Sequence, residues 1–475
     1  MDLPKKIHVI GISGIATSAL AIGFHKAGVK VTGSDKGFFP PASTELEKAG
    51  ISFYAGWHPE KMIEGGAPDL VVIPTASGSN NPETMYAMEH KMNCVGYTRV
   101  FADYFIKKNS IVCAGTWGKT SSSTLLSHIL DYAGLNPSYM FGGVSLSHEA
   151  AARLTDSDWS VFEGDEYKSS PTDPTAKFFY YKPTHLLLSA VSWDHADLYP
   201  TEDSYFETFK KLVDGIPASG IIIANKDDRG VLRTLGGTGT AKSGAKIVWY
   251  GKSPADYTYE SVKQSETGLS FTVKHAGVSY QIASTMLGAF QAENITACFA
   301  MAHSIGIVPG KIIEAIGSFK GLKRRLERRL DAKDSSSGIT VFDDIAHSPE
   351  KAAAVLKELR QIYKGRIIAV FEPNIGGRRR ESIAKYDGAF KSADMVVIPR
   401  LTKLKVADDE KELPIEGREL ADTIAKTHPH AVCIEKDEDL VAILTSQAEK
   451  GDVIAFLGSH GFRGMIEQTV KELSE

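Results

Sequence analysis

The sequence predicts an α/β protein built as three domains in series: Rossmann-like at the N-terminus, a central phosphate-loop domain on a mostly parallel sheet, and Rossmann-like again at the C-terminus. Three observations carry that prediction. Short runs that are apolar on both faces alternate with amphipathic stretches along the whole chain, as parallel strands covered by helices require. A Gly-Lys-Thr triplet, Gly118 to Thr120, stands between one such run and a helix start. The 475 residues exceed one ordinary hydrophobic core and, at roughly 100–200 residues per domain, allow two to four. The boundaries are placed at 1–107, 108–322 and 323–475.

The first domain opens with "IHVIGISGIATSALAIGFHKAGVKVTGSD". An apolar strand, Ile7 to Ile10, enters a small-residue turn at Gly11, Ser13 and Gly14. A helix carrying Leu20, Ile22 and Phe24 follows, then Gly28 and a second strand ending near Asp35, which makes a βαβ unit. A dinucleotide fingerprint has glycine where this chain has Ser13, so the turn argues for tight strand-to-helix packing over a nicotinamide cofactor. "PDLVVIPTASGSNNPE" adds a buried-type strand and a polar loop containing Ser77 at its carboxyl end, where ligands of such sheets bind. Gly11, Ser13, Gly14, Asp35 and Ser77 are the candidate substrate contacts of this domain.

The second domain begins near Ser110 with "IVCAGTWGKTSSSTLLSHIL". Ile111 and Val112 make a short strand, and Leu125, Leu126, Ile129 and Leu130 have the spacing of a one-sided helix that ends at Gly134. The segment from Gly115 to Ser121 therefore lies between a strand and a helix N-terminus, the setting a phosphate loop needs. Backbone N–H groups and the helix dipole face the anion, Lys119 adds charge, and the Thr120 hydroxyl is placed for Mg²⁺. The usual first glycine is replaced by Cys113, so Gly115 would carry the turn, with Thr116, Trp117 and Gly118 completing a shorter loop. The alternative is a Gly-Thr turn that merely caps a helix. Further strands follow in "WSVFEGDEY", "THLLLSAVSWDHADLY" and "GIIIANKDD", each apolar and then abruptly polar. Glu163, Asp165, Glu166, Asp194, His195 and Asp197 bunch at their ends, which suits a metal–phosphate site.

The third domain, "ITVFDDIAHSPEKAAAVLKELRQIY", "RIIAVFEPN", "ADMVVIPRL", "AVCIEKD" and "DVIAFLGSHGF", alternates strand and helix once more. "GGTGTAKSGAK" and "AKDSSSG" are loop tips or hinges. A net charge of −4 gives no global field for nucleic acid. The four cysteines are scattered without a C-x-x-C pair, against a disulfide framework or zinc site. No apolar run approaches the roughly 18 residues of a membrane span, and the N-terminus carries no signal-peptide pattern, so a cytoplasmic protein is expected, monomeric or weakly homo-oligomeric.

Gly11-Ile12-Ser13-Gly14 with Asp35, then "AGTWGKTSSS", "EGDEY", "SWDHADLY", "NKDD", "AENITACFA", "FKGLKRRLE", "DDIAHSPE" and "GDVIAFLGSHGFRG", together resemble the Mur ligases along essentially the whole chain. Within that family the closest likeness is to the murein peptide ligases, which join UDP-N-acetylmuramate to the tripeptide L-alanyl-γ-D-glutamyl-meso-diaminopimelate. The discriminating stretch is "EGDEYKSSPTDPTAKFFYYKPTHLLL": the related muramate–alanine ligases have a shorter acidic Ser-Asp link there, whereas the recycling enzymes have Glu-Tyr and a longer insert ending in Lys-Phe, as in Glu166-Tyr167 and Lys177-Phe178. The chain departs from the pattern at Trp117, where the loop usually has His or Asn, at Ser348, and at Glu293.

The resemblance implies a domain for the uridine diphosphate sugar, a central P-loop ATPase domain, and a C-terminal domain presenting the amine substrate. It implies Lys119 and Thr120 on the ATP phosphates, Glu163 and His195 with Thr120 as metal ligands, Asn294 near the adenine, and Arg325 near the γ-phosphate. Asp344 and His347 would face the cleft, with Glu166 on the substrate side. The chemistry that fits is activation of a carboxylate by ATP to an acyl phosphate that an amine then attacks, so charge neutralisation and positioning are the main tasks. Mg²⁺ favours the oxygen ligands; an imidazole would also suit Mn²⁺. Alternating charge in "LKRRLERRL" reads as a solvated helical face for Arg328 and Arg329, and Arg378, after Gly376-Gly377, as a clamp for peptide carboxylates or a surface loop. The competing functions are a muramate–L-alanine ligase and, in another class, a nucleotide-gated regulatory protein; the acidic strand ends and the third domain favour an enzyme.

Overall fold

The computed structural model describes residues 2–38, 42–74, 80–170, 173–236, 239–403 and 414–475. Ser77, Pro171 and Thr172 fall outside them. The first sheet is parallel throughout: β1 (Lys6–Ile10), β2 (Lys30–Asp35), β3 (Ser52–Ala55), β4 (Leu70–Ile73) and β5 (Cys94–Gly96) lie in the order β3-β2-β1-β4-β5. All five residues of β1 are buried, because helices cover both faces of a parallel sheet. The chain reverses through Gly11 into the helix Ile15–Lys26, which buries Leu20, Ile22 and Phe24 and turns back at Gly28.

The central sheet has ten strands. β6 (Asn109–Ala114) lies at its heart between β9 (Trp159–Gly164) and β12 (His185–Leu188), all parallel. β13 (Ile221–Asn225), β14 (Lys246–Gly251), β15 (Tyr257–Ser265), β16 (Gly268–His275) and β17 (Val278–Ser284) extend one side; β7 (Ser138–Met140) and the antiparallel edge strand β8 (Ala152–Arg153) extend the other. Between β9 and β12 a small antiparallel hairpin, β10 (Lys168–Ser170) with β11 (Asp173–Ala176), runs into the helix Lys177–Tyr180. One hydrophobic cluster joins the first two sheets, running from Ile7 and Phe24 through Val112, Leu186 and Ile222 to Trp249. Residues 1–262, 270–284 and 292–320 form one compact unit; 321–475, with 263–269 and 285–291, form a second.

In the second unit β18 (Glu327–Leu330), β19 (Thr340–Asp344), β20 (Ile367–Glu372), β21 (Met395–Pro399), β22 (Ala431–Ile434) and β23 (Val453–Gly458) lie in the order β18-β19-β23-β20-β21-β22. All pairs are parallel except the edge strand β18. Successive strand residues enter different cores: Ala369, Phe371 and Leu457 join Leu356 and Phe390, while Ile368, Val370 and Phe456 join Leu440 and Ile466.

One expectation is corrected. Alternating charge reads "LKRRLERRL" as a helical face, yet Arg324 and Leu326 take φ of 58° and 48°, which no right-handed helix contains, and residues 327–330 pair as β18. Arg328 and Arg329 are not a free solvated face. The Arg328 guanidinium donates to Asp331 at 2.6 Å and to the Glu266 carbonyl, and Arg329 donates to Glu467 at 3.0 Å. Among the described residues, no helix is long and apolar enough to cross a membrane.

Candidate active site

β6 ends at Ala114, and the loop that follows is held closed by its neighbours. The Thr116 N–H donates to the Ala190 carbonyl at 2.9 Å, and the Thr116 hydroxyl donates to the Ser192 carbonyl at 2.9 Å while accepting from the Ser192 N–H at 2.8 Å. Ser189 Oγ donates to the Trp117 carbonyl at 2.5 Å. Gly115 is required twice: its φ is +137°, and a Cβ there would meet Ser189 Oγ and lie 2.8 Å from the Ala190 oxygen. Gly118, at φ +82°, caps the helix Lys119–Tyr132, and its missing Cβ leaves room for Asn294 Oδ1. Asn294 is thus set against the loop itself. Trp117 is 55% exposed. Ser121 lies in the first helical turn, its environment partly open.

Lys119 does not reach into solvent. Its side chain is 15% exposed, and Nζ donates to the Gly115 carbonyl at 2.7 Å and to both Glu166 carboxylate oxygens at 3.0 and 3.2 Å. Glu166 is 1% exposed and also accepts from the Tyr205 hydroxyl at 3.2 Å, while its backbone carbonyl accepts from Tyr199 at 2.5 Å. The Thr120 hydroxyl donates to Glu163 Oε1 at 2.9 Å, and the Gly142 N–H donates to Glu163 Oε2 at 2.6 Å. Burial pushes the Glu163 carboxyl above the usual carboxylate range, against those two hydrogen bonds. Burial acts on Asp165 too, but Lys177 at 2.5 Å and the Tyr167 N–H outweigh it and hold that carboxyl below its ordinary value.

Thr120 and Glu163 form an oxygen pair of the kind Mg²⁺ takes, since that ion keeps waters and substrate phosphate oxygens as its other ligands. The sequence adds a third candidate to this pair. His195, at φ 55°, has Nε2 3.9 Å from Glu166 Oε1, and its ring packs 5.0 Å from Tyr167. Among the described residues no three His, Cys, Asp or Glu side chains converge as a metal cluster.

In the first sheet the turn after β1 is closed by Asp35, whose Oδ2 accepts from the Ser13 N–H at 3.0 Å and from the Ser13 hydroxyl, and whose Oδ1 accepts from the Lys36 N–H at 2.7 Å. Gly11, at φ +68°, and Gly14 complete that turn. In the second unit Asp344 accepts from the Leu326 and Ala346 N–H groups at 2.7 and 2.8 Å; burial nonetheless raises its carboxyl. His347 donates from Nδ1 to the Ile345 carbonyl at 2.7 Å, and burial, then Lys351, lower its pKa. Arg325 is exposed between the left-handed residues Arg324 and Leu326. Arg378 is no open clamp: 2% exposed, it donates to the carbonyls of Ile415 and Thr402 at 3.0 and 2.8 Å and to Glu416 at 2.8 Å.

Several contacts of the site carry no sequence signal of their own. Ser189, Tyr199 and Tyr205 meet the loop or Glu166 across 33 to 89 residues, a separation no local pattern encodes. Lys177 is visible in the sequence as the end of the insert, but its ion pair with Asp165 is not.

Comparison with known proteins agrees with this geometry. Three family models match in series: the Mur ligase family catalytic domain over residues 6–108, the Mur ligase middle domain over 113–302, and the Mur ligase glutamate ligase domain over 325–460. A UDP-N-acetylmuramate–L-alanine ligase of Methylobacterium nodulans is 30% identical over 475 residues, 97% of this chain and 95% of that protein. A UDP-N-acetylmuramate–L-alanyl-γ-D-glutamyl-meso-2,6-diaminoheptandioate ligase of Haemophilus influenzae is 28% identical over 99% of both. Among solved structures, a UDP-N-acetylmuramate–alanine ligase of Thermotoga maritima superposes with a TM-score of 0.79 at 23% identity, covering 98% of each chain, a likeness of fold. A murein peptide ligase of Psychrobacter arcticus gives 0.68 at 25% identity, covering 99% of each. With its three-domain α/β fold, its glycine-walled phosphate loop and matches along nearly all of its length, the chain belongs to the Mur ligase family of ATP-dependent amide-bond ligases.

Proposed function

We propose that this protein joins the carboxylate of UDP-N-acetylmuramate to the amine of L-alanyl-γ-D-glutamyl-meso-diaminopimelate, through an acyl phosphate, in peptidoglycan recycling. The observation that carries the reading is the insert after the acidic motif. Its hairpin is folded onto the site: the Lys177 N–H returns to the Tyr167 carbonyl at 3.1 Å, the Phe178 N–H to the Asp165 carbonyl at 3.2 Å, and the Phe178 ring is fully buried. Pro174 restrains it. A fixed wall of this length beside the reacting carboxylate suits an extended peptide, whereas alanine needs a small enclosed pocket.

In this reading residues 1–107 take the uridine diphosphate sugar through Gly11, Ser13, Gly14, Asp35 and Ser77. Residues 108–322 bind ATP through Gly115, Thr116, Gly118, Lys119, Thr120, Ser121 and Asn294, and residues 323–475 present the peptide. Thr120, Glu163 and His195 would hold Mg²⁺, or Mn²⁺ in its place, which would neutralise phosphate charge. Arg325 adds charge at the γ-phosphate, Asp344 and His347 order the face from which the amine approaches, and Glu166 lies on the substrate side. Neutralising two polyanions as they meet is the dominant catalytic task, because the carboxylate becomes reactive only once phosphorylated.

L-alanine is the second reading, favoured by the slightly higher identity of the alanine ligases, 30% against 28%. The deciding experiment compares kcat/KM for the tripeptide and for free L-alanine. A large preference for the tripeptide supports the proposal; equal or better use of L-alanine overturns it and leaves the ligase chemistry standing.

A further inference from the structure

Tyr205 ends the first turn of the helix Glu202–Asp214 and has no motif of its own, yet its hydroxyl lies between two parts of the nucleotide site. It is 3.2 Å from Glu166 Oε1 on one side and 3.2 Å from Thr116 Oγ1 on the other. The ring is fully buried, packed edge-on against Tyr199 at 5.1 Å and tilted against Phe209 at 5.0 Å, so the hydroxyl has no freedom to swing away. The carboxylate is the strongest acceptor within reach and accepts the phenol's hydrogen bond. The Thr116 proton is then shared between the Ser192 carbonyl and the phenol oxygen. Burial raises the Tyr205 pKa further above its ordinary value, so this donor is present at every working pH.

A single hydroxyl thereby connects the phosphate loop at Thr116, the loop before His195 at Ser192, and the carboxylate that holds Lys119. We propose that Tyr205 is a positioning residue of the nucleotide site, fixing Glu166 and Thr116 relative to each other so that Lys119 and the loop N–H groups meet the ATP phosphates in register. The other contacts agree with this role. Lys119 shares its ammonium between Gly115 of the loop and Glu166, so a shift of Glu166 against the loop moves the charge that must face the phosphates. Thr116 bonds both the N–H and the carbonyl of Ser192, so the same shift is passed to the segment leading to His195. Displacements on the order of 1 Å in such an array cost up to about 100-fold in rate.

The inference rests on the ATP-site reading alone and is indifferent to which amine is the substrate. Its test is therefore nucleotide binding as well as turnover. Tyr205→Phe keeps the ring and removes only the hydroxyl. The expected result is ADP affinity and kcat/KM for ATP lowered roughly tenfold, with KM for the UDP-sugar and for the amine within twofold of wild type. Combined with Glu166→Gln, the loss should be less than additive, because the second change already weakens the acceptor that Tyr205 addresses. Thr116→Val breaks the connection from its other end, together with the two Ser192 bonds, and should lower ADP affinity at least as much, which keeps the test open if Tyr205→Phe folds poorly. Unchanged ADP affinity in Tyr205→Phe, or losses that add fully with Glu166→Gln, would overturn the proposal.

Discussion

Replacing Lys119 by alanine tests whether the loop lysine is a catalytic charge, and the structure gives the change a second consequence. As a lysine on an open loop it would be removable without harm to the fold. Instead its ammonium lies 3.0 Å from Glu166, itself 1% exposed. Removing one partner of a buried ion pair leaves an uncompensated charge, at about 3–5 kcal/mol. The Tyr205 hydroxyl at 3.2 Å and His195 at 3.9 Å remain as partial partners, so the lower end, about 3 kcal/mol, applies. At about 2–4 °C per kcal/mol for a large domain, the nucleotide unit of Lys119→Ala should melt roughly 6–12 °C below wild type. Turnover should fall by about 10²–10³-fold with the loss of a preorganised charge. The assay is ADP release with saturating substrates beside a thermal melt. Glu166→Gln added to Lys119→Ala should restore much of the melting temperature and none of the activity. Near-normal turnover in Lys119→Ala would refute the phosphate-loop assignment, and a melting temperature that the second change fails to recover would refute the ion-pair argument.

The remaining predictions concern metal, substrate and pH. His195→Ala should raise the Mg²⁺ needed for half-maximal activity, with excess Mg²⁺ or Mn²⁺ recovering part of the rate; lower thermal stability with no metal rescue would assign His195 to structure alone. Shortening the insert from Ser169 to Ala176 while keeping Lys177 should depress tripeptide use selectively, whereas Lys177→Met, which strips Asp165 of its 2.5 Å partner, should impair every amine substrate; identical profiles for the two variants would contradict the wall. Burial, with the nearby His128 and Arg153 charges, brings His148 down to about 3. The unfolded chain titrates this group near 6.5 and so binds more protons as the pH falls. The stability His148 contributes is complete above about pH 6.5 and is lost toward pH 3, by about 1.4 kcal/mol per pH unit. Urea midpoints between pH 7 and 5 should fall in wild type and flatten in His148→Gln; equal slopes would reject that assignment.

Many strands were legible as short apolar runs ending in polar residues, among them β6, β9, β12, β13, β19, β20, β21 and β23, whereas the polar β10, β11 and β18 were not. The phosphate loop was legible from Gly-Lys-Thr between strand and helix, and Gly115 does carry the turn that Cys113 cannot. The segment around Arg325 was not, because its alternating charge reads as a helical face while tertiary contacts hold Arg324 against the carbonyls of Ser459 and His460 and force a left-handed backbone. Arg378 looked like an open cation from its glycine-rich flank, and only its contacts with Ile415, Thr402 and Glu416 reveal an internal anchor. His195 stands out in its motif, but the approach of its ring to Glu166, 3.9 Å away across 29 residues, is encoded by no local pattern.

The most direct measurement of the central claim is the mass of the product formed in one vessel holding UDP-N-acetylmuramate, ATP, Mg²⁺ and equal concentrations of the tripeptide and L-alanine, with ADP followed in parallel. The account predicts one dominant product, the muramoyl tripeptide, formed one for one with ADP and absent when ATP or the UDP-sugar is withheld. A muramoyl-alanine product would contradict the substrate assignment, and amide formation without ADP would contradict the acyl-phosphate chemistry itself.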